Sequence, residues 1–159
     1  MIIYNIIRSN TALSLTADFF TIIAGAVRSF LVLEIDAEGD AAASAYNEFG
    51  IYRVTTAGVT PGGAITPVTV EAPNLTGTTP ALAFSGTVPT TWATQPVVGA
   101  LIHNCPINAN GQRYFWRCNP NLNNAITVPG GNNAAGSLSV GRGISGTSNI
   151  SLRLQVAEL

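Results

Sequence analysis

From Ile150 to Val156 the chain alternates without a break: Ile150, Leu152, Leu154 and Val156 take one parity, Ser151, Arg153 and Gln155 the other. An extended strand turns successive side chains to opposite faces, so this stretch reads as a strand with one buried and one wetted side. The same period, carried by β-branched and aromatic residues, recurs in Ile2–Arg8, Ala12–Ala17, Phe20–Ala24, Arg28–Ala37, Glu48–Thr55 and Ile65–Glu71. It returns in Ala81–Ser85, Val97–His103, Tyr114–Cys118, Ala125–Val128 and Ser137–Gly141. Such residues suit a pleated, half-buried surface. Clusters of Gly, Pro and Asn at 60–63, 108–111 and 129–133 separate the segments. They supply the positive or fixed φ that a reversal needs. Helical periodicity is almost absent. The pattern predicts an all-β fold, an antiparallel β-sandwich or jelly roll with little or no helix. With no internal repeat and no sharp composition shift, a single domain over 1–159 is expected. The apolar opening Ile2-Ile3-Tyr4-Asn5-Ile6-Ile7 is expected to make residues 1–9 an N-terminal arm or an exchanged strand.

Composition narrows the class of function. The chain has no lysine, and 9% of its residues are charged while 47% are hydrophobic. A soluble monomer carries about 25% charged residues. A surface of Thr, Asn, Ser, Gly and Ala is weakly hydrated unless other subunits cover it, which points to a structural homo-oligomer rather than an enzyme. Seven arginines spread from Arg8 to Arg153, with a net charge of -1, give no footprint for nucleic acid. The longest apolar stretch, Phe19–Leu33, is interrupted by Arg28 and falls short of the ~20 residues of a spanning helix. No membrane partner is expected. No basic segment precedes the apolar N-terminus, so neither is a secretory signal. Two cysteines do not make a disulfide scaffold. The glycosylation patterns at Asn74–Thr76 and Asn149–Ser151 are what chance supplies in a chain rich in Asn and Thr.

Four constellations invite chemistry. Gly141-Arg142-Gly143-Ile144-Ser145-Gly146 has the spacing of a dinucleotide fingerprint, but a strand follows where a helix N-terminus would have to hold the pyrophosphate. It reads as a glycine-rich hairpin loop. Glu34, Asp36, Glu38 and Asp40 share one face of a strand. They suit a solvated strand end, a contact to arginines such as Arg28, Arg53 or Arg142, or an oxygen-rich cation site. A two-residue turn at Asn110-Gly111 puts Cys105 opposite Trp116 and His103 opposite Cys118. Buried free thiols beside an aromatic are the reading that fits; a Cys105–Cys118 disulfide, a zinc site and a Cys–His nucleophile are the alternatives. Trp92, Tyr114 and Trp116 could stack on sugars, although aromatics also anchor cores and interfaces. His103 is the single histidine and no Gly-x-Ser-x-Gly elbow occurs. No catalytic, cofactor-binding or metal residue is nominated.

Three stretches carry a resemblance: Arg28–Ile35; Glu48–Gly58, closing in Thr-Thr-Ala-Gly before Ile65–Val68; and Tyr114–Trp116 through Pro129-Gly130-Gly131 to the strand ending at Leu159. In these the chain resembles β-sandwich proteins of tailed-phage gene sets that serve as head decoration, or cement, proteins. The resemblance implies a virion protein on the capsid surface, made in the host cytoplasm. It implies the major capsid protein as partner and a homotrimer as the favoured assembly. It carries no functional residues. The alternative is a glycan-binding jelly-roll module of the tail-fibre or spore-surface type.

Overall fold

The computed structural model describes residues 2–71, 84–119, 121–122, 124–131 and 136–159. Twelve strands run in order: β1 (Ile2–Ala12), β2 (Phe20–Ile22), β3 (Phe30–Asp40), β4 (Tyr46–Thr56), β5 (Val59–Ala64), β6 (Val68–Glu71), β7 (Pro89–Thr94), β8 (Val97–Asn108), β9 (Asn110–Arg117), β10 (Ile126–Val128), β11 (Leu138–Ser145) and β12 (Asn149–Glu158). No α-helix occurs among the described residues.

The pairings are nested. β1 joins β12, β2 joins β11, β3 joins β10 and β9, and β4 joins β8, all antiparallel. The chain is therefore one long ribbon doubled back on itself and then wound. Winding lays β10-β3-β12-β1-β6 in one sheet, with β9 beside β10 on the free edge of β3, and β2-β11-β4-β8 in the other. That order is a jelly roll. Residues 57–96, between the β4 and β8 halves of the ribbon, are an insertion. It forms the separate β5–β7 pair and lends β6 to the edge of β1.

Period-two burial explains the packing. On β1 the side chains of Ile2, Tyr4 and Ile6 are buried, and on β12 those of Ile150, Leu152, Leu154 and Val156. They meet Phe20, Ile22, Phe49, Ile51, Leu138 and Val140 of the second sheet. Each such side chain contributes roughly 1.5–3 kcal/mol when it leaves water. β3 holds its place by changing parity. Phe30 and Val32 face inward before a register shift opposite Gln155/Val156, and Ile35 and Ala37 face inward after it. The bulge absorbs the extra residue that would otherwise turn every later side chain outward.

Residues 2–9 lie in β1, within a sheet of their own chain. β1 is hydrogen-bonded on both edges, by β12 and β6 of its own chain, and its apolar parity fills the core. Several expectations are corrected. The strand expected over Ala12–Ala17 stops at Ala12 because the Ser14 hydroxyl accepts the N–H groups of Thr16 and Ala17, closing a turn. The glycine-rich 141–146 segment is strand β11 for most of its length, not a loop. Gly141 takes φ 73° at a register shift, a bulge position that a side chain tolerates poorly. Thr60-Pro61-Gly62-Gly63 lies in β5 rather than in a turn. In a two-stranded ribbon every strand is an edge, where proline is admitted. The strand expected over Ala81–Ser85 falls outside the described residues up to position 83, as does the Asn74–Thr76 pattern.

Candidate functional site

The Asn110-Gly111 reversal forms, with the Asn108 side-chain carbonyl accepting the Asn110 N–H and Gly111 at φ 65°. Its two strands nevertheless go to different sheets, β8 to β4 and β9 to β3. The expected hairpin ladder is a corner of the sandwich instead. Inward parity still brings His103, Cys105, Tyr114 and Trp116 together, now face to face across the layer. His103 Nε2 lies 2.6 Å from Tyr114 Oη, and the His103 and Trp116 rings are 5.1 Å apart. Burial pushes the Cys105 thiol up to about 12, against a hydrogen bond from Tyr114 that acts the other way. Burial likewise raises Tyr114 to about 12 and lowers His103 from its ordinary 6.5. The buried, protonated thiol and the half-buried imidazole form a polar cluster at the margin of the core. Burial disfavours the thiolate form at Cys105. Cys118 lies elsewhere, its thiol directed at Asn119 O and Asn124 Oδ1. Both cysteines are free and buried.

The acidic run does share one face, the outer side of the first sheet, but its partners are not those expected. Arg113 pairs with Asp36 through Nε at 2.6 Å and Nη2 at 2.8 Å. Arg117 reaches Glu34 at 2.5 Å, and Arg153 bridges Glu34 and Asp36 at 3.5 and 3.0 Å. The hydrogen bond from Arg113 holds the Asp36 carboxyl below its usual range, and Arg153 adds to the effect. Asp40 accepts from the Ser151 hydroxyl. Arg28 instead faces Glu158 at 3.7 Å, Arg142 faces Asp18, and Arg53 donates to the carbonyls of Thr127 and Gly136. No group of three or more metal-ligating side chains occurs among the described residues.

A third place joins Trp92 to residues the sequence did not nominate with it. The β1–β2 turn, the end of β1 and strand β7 enclose a cleft of about 290 Å³, lined by Arg8, Asp18, Thr90, Thr91, Trp92 and Gln95 among others. Asp18 is its buried hub. Asp18 Oδ1 accepts from Ser139 Oγ at 2.6 Å and Arg142 Nε at 2.8 Å, and Oδ2 accepts from Thr21 Oγ1 at 2.9 Å. Gln95 Oε1 accepts the Asp18 N–H, and Arg142 also donates to Pro96 O. Trp92 donates its indole N–H to Thr21 Oγ1 at 3.1 Å. Gly58 lies against the same ring so closely that a Cβ there would come 2.4 Å from it. One signal for this site was in the sequence. Arg8 continues the inward parity Ile2, Tyr4, Ile6, and a charge at a core position asks for a reason. Comparison with family models, curated proteins and solved structures finds no match for the chain.

Proposed function

We propose that the protein is a structural virion component: a decoration, or cement, protein of a tailed-phage head, assembled as a homotrimer on the surface of the major capsid protein. The distribution of charge carries this reading. Seven of the ionic side chains (Glu34, Asp36, Glu38, Asp40, Arg113, Arg117 and Arg153) sit on one outer strip of the first sheet. The insertion 57–96 has Glu71 as its one charged residue. Val59 and Val68 of that insertion, with Val97 and Leu101 of β8, are exposed. A neutral skin of this kind gains by being covered, and a rigid jelly roll repeated over a lattice turns modest contacts into firm attachment. Electron microscopy of mature heads is the direct test. Density for the chain at symmetry positions of the shell is expected; heads that lack it would remove the proposal.

A second reading, a glycan-binding module, has one observation in its favour: Trp92 lines a polar cleft. Tyr114 and Trp116, nominated beside it in the sequence, are engaged with His103 and lend it nothing.

A further inference from the structure

Among the described residues, five arginines lie within ion-pair distance of a carboxylate: Arg28, Arg113, Arg117, Arg142 and Arg153. Arg53 spends its charge on two carbonyls at the sheet surface. Arg8 is different. It is half-buried, stacks over Phe19 at 5.0 Å, and directs one nitrogen, Nη1, to the carbonyls of Phe19 and Thr90. Its other two guanidinium nitrogens make no hydrogen bond to the described residues, and they are not among the buried polar atoms left without a partner. Arg8 itself lines the cleft. The carboxylate nearest in the lining, Asp18, cannot neutralise them, because three donors, including the Arg142 guanidinium, already occupy its two oxygens. The cleft is left with a net positive charge, two threonine hydroxyls and an indole wall.

We propose that this cleft binds a sugar unit that carries a carboxylate. The inference rests on the glycan reading above and supplies its ligand class; it does not depend on attachment to a shell. A guanidinium fork matches a carboxylate with two parallel charge-assisted hydrogen bonds. An apolar ring face suits the aromatic wall, while Thr90, Thr91 and Gln95 offer partners for hydroxyl groups. A cavity near 290 Å³ sits at the small end of ligand sites, room for one sugar ring rather than a peptide loop. A bare inorganic anion would use Arg8 and leave Trp92 and the threonines idle.

The test uses the whole chain. Wild-type protein is titrated with glucuronate, glucose, acetate and an N-acetyl glutamate amide, following the nitrogen-15 signals of the Trp92 indole and the Arg8 Nε. Glucuronate is expected to shift both, with glucose binding about tenfold or more weakly. Arg8→Gln should bring the glucuronate-to-glucose ratio close to one, and Arg53→Gln should leave it unchanged. Should Arg8→Gln fail to fold, Thr91→Val replaces it: this exposed position keeps the charge and should weaken both sugars alike. Equal binding of glucose and glucuronate overturns the charge selection while the glycan reading survives. Acetate or the glutamate amide binding as tightly as glucuronate overturns the sugar assignment. If no sugar moves the Trp92 signal, both the inference and the glycan reading fall.

Discussion

His103 shows how burial turns one side chain into a pH dependence. Its imidazole is held neutral between two sheets, with Tyr114, Cys105 and Trp116 around it and its ordinary value of 6.5 lowered by desolvation. A depressed value means the unfolded chain takes up the proton first, so stability is complete above about pH 6.5 and declines as acid drives the proton onto the unfolded state. Denaturant titrations from pH 8 to 5 should show that decline in the wild type and a flatter profile in His103→Gln, where the amide keeps a partner for Tyr114. Asp36 acts in the same direction at lower pH, its stabilisation by Arg113 being lost as pH falls below the usual carboxyl value of 3.8. Asp18 and Arg142 illustrate a different cost. Their side chains are 1% and 14% exposed at a separation of 2.7 Å. Arg142→Ala strands a buried carboxylate and is expected to lose about 3 kcal/mol of unfolding free energy. By contrast, Arg117→Ala, on a side chain 67% exposed, should lose under about 1 kcal/mol.

At the scale of the element, β1 is tied into the core of its own chain. β12 pairs it from Ile2 to Ala12, β6 pairs Ile3–Asn5 on the other edge, and Ile2, Tyr4 and Ile6 close the core. Deleting residues 1–9 is therefore expected to abolish the cooperative unfolding transition seen by circular dichroism, not to yield a folded protein that merely fails to assemble. Ile6→Ala should cost about 2–5 kcal/mol in the same measurement. A deletion variant that still melts sharply would restore the arm. Strands β8 and β9 are the open edges on the far side, each paired on one side only among the described residues. Pro106 in β8 offers no N–H to a stray partner, and the register shifts toward the start of that strand interrupt a flat template.

Across the whole molecule the charges are segregated. The outer face of the first sheet carries a strip of arginines and carboxylates that largely satisfy one another, and the insertion and the β8 edge are nearly neutral. If assembly uses the neutral surface, raising salt should leave the mass measured by light scattering unchanged or larger, because apolar contact is not screened. A trimer mass is expected at working concentrations. An assembly that dissolves in salt would identify the ionic strip as the contact, and a single-chain mass throughout would remove self-association from the account.

How much of this could be read in advance follows from what each signal depends on. Alternation belongs to the chain itself, because side chains on a pleated backbone change face at each residue. The last strand, the alternation of β1, the shared face of Glu34, Asp36, Glu38 and Asp40, and the grouping of His103 and Cys105 with Trp116 were legible for that reason, whereas Tyr114 stands beside His103 where Cys118 was expected. The strands β5 and β7 were not, since Pro61, Gly62 and Pro89 carry the marks of turns and are tolerated only because the ribbon has two edges. Nor does local pattern say which strand pairs with which. Only the wound ribbon sends β8 and β9 to opposite sheets, chooses Arg113, Arg117 and Arg153 for the acidic strip, and brings β7 against the β1–β2 turn to enclose Arg8 and Trp92. Pairing across the chain is settled by which apolar faces can be buried together, and that is a property of the packed whole.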